Sequence, residues 1–64
     1  MTHRDFIKKN YTVFAETEHS IFFEAYGEKI AEIDGASFDC RTVEEFYDLV
    51  NEYEDLSIAW NKHF

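Results

Sequence analysis

Carboxylates at helical spacing are the feature of this sequence that most clearly suggests chemistry. Glu44, Asp48, Glu52 and Asp55 follow i, i+4, i+8 and i+11 spacing, so a helix would place them along one face. Neighbours on such a face lie about 5–6 Å apart at Cβ, and each like-charged pair costs roughly 0.2–0.5 kcal/mol. No lysine interleaves with them. The row, flanked by Glu45, is therefore either a solvated face that confers solubility or a surface that binds a cationic partner.

Negative charges at near-regular spacing also imitate the phosphates of a nucleic-acid strand. A protein site that binds nucleic acid through Arg and Lys would attract such a row by the same electrostatics. Taken alone, the helix leaves both interpretations open. Residues 16–39 strengthen the second one, because they carry seven acidic side chains against Lys29, a net charge of -6.

Catalysis and metal binding are less well supported by the residue types present. Paired acids serve glycoside hydrolysis and acidic clusters hold Mg²⁺ or Ca²⁺, but 14 acids among 64 residues bring pairs together by chance. The sequence has no Asp-rich calcium loop and no His-x-x-x-His pair, and its serines lie in no nucleophile signature. We therefore expect no enzyme, no metal and no cofactor.

Cys40 is the only cysteine, so one chain forms no disulfide, which fits a reducing compartment. Its place just before a helix start is compatible with a lowered thiol pKa, but we expect a small core residue. The N-terminal residues do not resemble a signal peptide, and no window approaches the ~20 apolar residues of a membrane span. The expected location is cytoplasmic.

Composition limits both the size and the partners of the chain. With 64 residues and a net charge of -8, it has room for one domain and too few cations to bind nucleic acid or an acidic membrane directly. Aromatic residues make up 19% of the sequence. Because each can bury about 150–250 Å², they argue for a packed core and against disorder. We expect residues 1–64 to form a single small α+β domain.

The first half of the chain predicts a short helix and three strands. Thr2 and Asp5 form a capping-box pattern, which predicts a short helix over residues 3–9 with Phe6 and Ile7 on its buried side. Alternating patterns predict an antiparallel meander with turns at Gly27-Glu28 and Asp34-Gly35. The predicted strands span residues 11–17, 21–26 and 29–34.

A longer helix is predicted to follow. Thr42 and Glu45 form a second capping-box pattern, which opens the helix. Its expected buried stripe consists of Val43, Phe46, Tyr47, Val50 and Tyr53. Residues 56–64 fit either a strand or further helix, and the absence of Gly and Pro after Thr42 favours helix.

The two faces of the predicted meander differ in character. We expect the C-terminal helix to cover the more apolar face, which carries Tyr11, Val13, Ala15, Ile21, Phe23 and Ala25. The open face mixes aromatic side chains with carboxylates, which predicts an interface either with another protein or with a second copy. The register of the third strand stays open. The expected partner-binding residues on the open face are Glu16, Phe22, Glu24 and Tyr26, beside Phe14.

The layout and two short motifs resemble a known group of proteins. Tyr11-Thr12-Val13 opens the first predicted strand, and Glu44-Glu45-Phe46-Tyr47 lies in the predicted helix. Together with the acidity, these features are similar to small acidic phage-encoded inhibitors of the DNA-mimic or anti-CRISPR type. The resemblance implies a target with a basic groove, such as the arginines that read a PAM duplex. The basic N-terminal part departs from the uniformly negative surface of that group.

Two functional hypotheses follow. The first is a binding protein without catalytic activity that blocks a Lys/Arg-rich nucleic-acid-binding groove on a partner protein as an acidic nucleic-acid mimic. The second is an acidic interaction module, which is either an accessory or antitoxin-like subunit or a homodimer through the open sheet face. Neither hypothesis requires a cofactor.

Overall fold

Four antiparallel strands and two helices make up the fold. The computed structural model describes the backbone of residues 1–63 and the side chains of residues 1–53 and 55. The elements are α1 (His3–Asn10), β1 (Thr12–Glu16), β2 (Ser20–Ala25), β3 (Glu28–Ile33), β4 (Ala36–Asp39) and α2 (Val43–His63). The strands form one sheet in the order β1-β2-β3-β4. The fold is therefore α+β.

Helix α1 begins with the predicted capping box. The Thr2 N–H donates to Asp5 Oδ2 at 3.3 Å, and the Asp5 N–H donates to Thr2 Oγ1 at 3.1 Å. Hydrogen bonds from the Thr2 backbone and hydroxyl hold the pKa of Asp5 below its ordinary value, so this cap weakens as pH falls through that pKa. Ile7 is buried as expected, but Phe6 is 45% exposed.

The prediction of three strands is wrong by one, because β4 follows the turn at Asp34-Gly35. Ala36 pairs with Ile33, and Phe38 pairs with Ala31. The four residues of β4 carry one large apolar side chain, so their alternation is too short to stand out in the sequence. The turn signal was correct, and the strand after it was missed.

Both central hairpins turn through two residues with positive φ. Tyr26 and Gly27 have φ of 54° and 79°, and Asp34 and Gly35 have φ of 48° and 85°. This pattern is typical of type I′ turns, whose twist matches that of the strands. The first turn lies one residue earlier than the predicted Gly27-Glu28. It pairs Ala25 with Glu28 and thereby sets the register that the sequence left open.

Each face of the sheet carries a helix, so the expectation of one open face is wrong. Helix α2 packs over the face that bears Phe22, which is 1% exposed and stacks on Phe46 with ring centroids 5.6 Å apart. Ala31, Ile33, Cys40 and Val50 complete this core. On the other face, Ile7 of α1 packs on Ile21, Phe23 and Ala25. The predicted faces were assigned correctly in β2, but the wrong one was given to α2.

A bulge in β1 explains part of this difference. Val13 pairs with Phe23, whereas Ala15 pairs with Phe22, so Phe14 is an extra residue in the strand. The alternation of side chains therefore changes sides at Phe14. Ala15 joins the α2 face, and Glu16 moves to the α1 side opposite Ile21.

Helix α2 starts where Thr42 predicts. The Glu45 N–H donates to Thr42 Oγ1 at 3.1 Å, and the Glu45 carboxylate accepts the Arg41 N–H at 2.9 Å. Phe46 is buried as predicted, but Tyr47 is 48% exposed.

The rest of the buried stripe is shifted on the helix. Val50 is buried and Tyr53 is half-buried, while Val43 is 38% exposed and Leu49 packs against the core in its place. Helix continues to His63, as favoured for this segment, and Phe64 lies outside the described residues. No described helix has the length and apolarity needed to cross a membrane.

Candidate acidic interface

The carboxylates of α2 lie on the side of the helix that faces solvent. Phe46 and Val50 point into the core, and residues are separated by about 100° around the helix axis. Glu44, Asp48 and Asp55 lie about 160–180° around the axis from Phe46 and therefore point away from the sheet. Glu45 and Glu52 lie about 100–120° from Phe46 and flank that side. All five predicted residues are exposed: Glu44, Glu45, Asp48, Glu52 and Asp55. We call this set the α2 row.

The α2 row is not neutralised by the described part of the chain. Among side chains that the structure describes, none of its five carboxylates lies within 4.0 Å of a lysine, arginine or histidine nitrogen. Glu45 differs from the others because its carboxylate also accepts the Arg41 N–H at the start of the helix. The spacing pattern thus identified an exposed negative surface.

Glu16 is separated from this surface and paired internally. Lys8 Nζ lies 2.7 Å from Glu16 Oε1, and Arg4 Nη1 lies 3.5 Å from Glu16 Oε2. Arg4 also donates to the Thr17 carbonyl. Arg4 and Lys8, two of the cations near the N-terminus, therefore form contacts inside the fold that hold α1 against the β1–β2 hairpin. Glu16 was predicted as a partner-binding residue, but its charge is already compensated.

Phe22 also lies outside any exposed site, because it is buried beneath α2. Its neighbour Glu24 is half-exposed and pairs across the sheet with Lys29. Lys29 extends over the ring of Phe14, with Nζ 5.7 Å from the centroid. Glu16 is also exposed but is paired with Arg4 and Lys8. Glu24 and Tyr26 are the predicted sheet residues that are accessible without such an ion pair among the described side chains, and both lie at the β2–β3 turn end of the sheet.

An aromatic cluster occupies this end of the sheet. The ring of Tyr11 stacks on that of Phe23, with centroids 5.6 Å apart. It meets the rings of Phe6 and Tyr26 edge-on, with centroids 6.0 and 5.9 Å away. The neighbouring Tyr26 phenol raises the pKa of Tyr11 by favouring its protonated form. Phe6 was expected in the core and Tyr11 on a covered face. Tyr11 lies between the end of α1 and the start of β1, and this position was the signal in the sequence that could have predicted its contact with Phe6.

Tyr26 is held in an unfavourable backbone conformation. It has a φ of 54° and is 93% exposed, although the left-handed region costs an L-residue about 1–2 kcal/mol. Asparagine tolerates this region far better than tyrosine does. Packing in the core therefore does not explain why a tyrosine stands at this turn.

Tyr26→Asn is expected to stabilise the fold. Asparagine relieves the backbone strain at this turn, and that gain exceeds the loss of one exposed ring contact with Tyr11. The free energy of unfolding is therefore expected to rise by roughly 0.5–1 kcal/mol. The melting temperature, followed by circular dichroism, is expected to rise by about 3–6 °C. Tyr26→Phe keeps the strain and is expected to melt like the unchanged protein. A lower melting temperature for Tyr26→Asn would contradict the strained turn.

Cys40 is a core residue, as expected. It is 2% exposed, and burial, reinforced by the negative charges of Glu45 and Asp39, raises the pKa of its thiol. This is the opposite of the lowered pKa that a helix start can produce. Within the described residues, no group of three His, Cys, Asp or Glu side chains is arranged to hold a metal ion.

Alkylation of Cys40 is expected to require opening of the fold. At pH 8, iodoacetamide is expected to modify the native chain at least about 100-fold more slowly than the urea-unfolded chain, because opening a small domain costs about 3–5 kcal/mol. Protection is expected to decline as pH rises through the folded-state pKa, since stability from a raised thiol pKa is lost there. Equal rates, measured by mass spectrometry, would contradict the burial.

Comparison with known proteins finds no matching family model, no matching curated protein and no matching solved structure. Function must therefore be inferred from the surface of the chain itself.

Proposed function

We propose that this chain is a binding protein without catalytic activity that blocks a basic nucleic-acid-binding site on a partner protein as an acidic nucleic-acid mimic. The observation that carries the proposal is the exposed α2 row, in which five carboxylates lie on or beside the outward side of one helix. Like charges at this spacing destabilise the helix. A partner that supplies Lys and Arg opposite the row would remove that repulsion when it binds.

The charge density of the row supports mimicry of a nucleic-acid strand. Glu44 and Asp55 are separated by about 17 Å of helix axis, at about 1.5 Å per residue. Five charges over that length give about one charge per 4 Å. A single strand of DNA carries about one phosphate per 3.4 Å of axis. A groove built to contact successive phosphates can therefore meet several of these carboxylates together.

Packing against the sheet supports the proposal because it makes the row rigid. The Phe46 ring stacks on Phe22, and Val50 packs in the same core, so the outward side of α2 has a fixed orientation. A preorganised surface loses little conformational entropy when it binds. Glu24, which lines the same pocket as Cys40 and Arg41 just before α2, would add an acidic contact. Tyr26 lies at the same end of the sheet, with its ring on Tyr11 of the α1 side, and would add an aromatic contact to a partner that reaches around this end.

Capture from cell extract at low and high salt tests this function. The immobilised chain is expected to retain proteins with nucleic-acid-binding sites at about 50 mM salt and to lose them at about 1 M, where the Debye length falls to about 3 Å. Added duplex DNA or RNA is expected to release the same proteins. Partners that have no nucleic-acid site, or that resist both salt and nucleic acid, would contradict mimicry.

The second hypothesis loses part of its basis in the structure. A homodimer through an open sheet face needs an exposed Phe22, and that side chain lies under α2. An accessory or antitoxin-like subunit remains compatible with the same acidic surface. The nature of the captured partner separates it from a mimic.

A further inference from the structure

The outer edge of β4 has the features of a strand-binding site. In the sheet order β1-β2-β3-β4, β4 pairs on one side with β3 and forms the sheet edge on the other. It contains no lysine, proline or bulge of the kinds that protect sheet edges. The opposite edge differs, because β1 is bulged at Phe14 and has the cations Arg4 and Lys8 beside it.

The hydrogen-bond pattern shows which groups of β4 face outward. Ala36 closes the two-residue turn with Ile33, so it exchanges hydrogen bonds with β3, as does Phe38. The bond from the Cys40 N–H to the Lys29 carbonyl follows the same alternation. The N–H and C=O groups of Ser37 and Asp39 therefore point to the open edge, where an added strand would pair with them.

An apolar depression lies beside this edge on the α2 side. Phe38, Leu49 and Tyr53 line it, and Glu52 of the α2 row lies at its rim. Phe38 meets Tyr53 edge-on with ring centroids 5.6 Å apart. A strand added to β4 would place alternate side chains next to Phe38 and over this depression. The main-chain bonds would supply affinity and the depression would select apolar side chains.

The other side of the added strand would lie next to an acidic residue. Asp39 projects to the α1 side of the sheet, and Asp34 lies in the turn before β4. Arg41 follows β4 and is the one basic residue in this stretch, so the edge remains net negative with Glu52 included. Cross-strand partners lie about 4.5–5.5 Å apart at Cβ, which brings a Lys or Arg opposite Asp39 into ion-pair range.

We propose that the β4 edge binds an extended basic segment of a partner protein in which apolar side chains alternate with Lys or Arg. A second copy of this chain fits less well. Its own β4 offers alanine and phenylalanine on one side and serine and aspartate on the other, with no cation, and each copy carries a net charge of -8. This site shares only Glu52 with the α2 row, and it does not depend on the proposed function.

Nuclear magnetic resonance titration with defined peptides tests the site. The probe is a capped hexapeptide of alternating valine and lysine, and the controls are its block isomer of three valines then three lysines and an alternating valine-glutamate peptide. The amide protons of Ser37 and Asp39 are expected to shift downfield and to exchange with solvent at least about 10-fold more slowly with the probe alone. Equal shifts with the block isomer, or shifts confined to the α2 row, would overturn the proposal.

Two substitutions at Ser37 provide a matched pair. Ser37→Pro removes the outward N–H without removing a bond to β3, so binding of the alternating peptide is expected to weaken at least about 10-fold. Ser37→Ala keeps the N–H and is expected to bind like the unchanged protein. Equal affinity of both variants would overturn the proposal. If Ser37→Pro fails to fold, Asp39→Asn serves instead. This variant is expected to bind the alternating peptide about threefold more weakly, and the difference is expected to disappear at 1 M salt. Unchanged affinity at low salt would overturn the proposed ion pair and with it the basic segment as occupant.

Two further measurements separate this site from its alternatives. A variant with Glu44→Gln and Asp48→Asn, which alters the α2 row away from β4, is expected to keep peptide binding, and its loss would overturn an independent site. Sedimentation is expected to show a monomer. A dimer that Ser37→Pro dissociates would overturn the basic segment as occupant in favour of a second copy.

Discussion

Replacing Phe22 by alanine is expected to unfold the chain. The side chain is 1% exposed. Its ring centroid lies 5.6 Å from that of Phe46, on which it stacks, and 5.1 Å from that of Phe14. Truncation of a buried phenylalanine costs about 3–5 kcal/mol. A domain of this size rarely has more than about 3–5 kcal/mol of stability in total. Urea titration, followed by near-ultraviolet circular dichroism, is expected to show no folded baseline at 25 °C.

Phe14→Ala is the matched control for this change. Phe14 is 39% exposed and stands at the bulge, so its truncation is expected to cost roughly 1 kcal/mol and to leave a cooperative transition. If Phe22→Ala unfolds no more easily than Phe14→Ala, α2 does not pack on β2 as described. Because Phe22 is buried within one chain, its substitution changes folding and does not test a dimer interface.

Neutralising three members of the α2 row is expected to abolish binding while the fold is kept. The variant combines Glu44→Gln, Asp48→Asn and Glu52→Gln, which are exposed and lie one turn apart. At about 1 kcal/mol per lost ion pair, binding to the partner is expected to weaken roughly 100-fold. Four like-charge contacts between row members three or four residues apart are relieved, so the free energy of unfolding is expected to rise by about 1 kcal/mol.

A charge-matched control separates the row from net charge. Glu18→Gln, Glu28→Gln and Asp34→Asn remove three exposed acids that lie in a loop, at the start of β3 and in a turn, so both variants change the net charge from -8 to -5. The control is expected to bind within about threefold of the unchanged chain, because its acids lie off the row. Calorimetry with the captured partner measures both. Equal losses in the two variants would show that the row acts through net charge alone.

Local signals in the sequence predicted the helices and much of the sheet. The Thr2–Asp5 box and the Thr42 cap are patterns within four residues, and the structure contains both. The Asp34-Gly35 turn was also recognised, because glycine with a preceding Asp or Asn is a strong local signal. The acids of α2 were placed on one face by spacing alone, since their helix is regular from Val43 onward.

What the sequence did not reveal depends on contacts between distant segments. The extra residue at Phe14 reverses the side of Glu16, and no local pattern announces a bulge. The two helices could each have covered either face, because each face of β2 carries a phenylalanine that favours burial, Phe22 on one and Phe23 on the other. The pairing of Glu16 with Arg4 and Lys8 follows from docking of α1 beside β1, which depends on the angle between two consecutive elements and not on a local pattern.

The most direct test of mimicry is whether the chain and nucleic acid exclude each other from the same partner protein. The apparent affinity of the chain for a purified captured partner is measured at rising concentrations of that partner's own nucleic acid, with the α2 row variant in parallel. Mimicry predicts that the apparent dissociation constant rises linearly with the concentration of free nucleic acid, without a plateau, and that no ternary complex forms. A stable ternary complex, with an affinity that nucleic acid does not change, would contradict it.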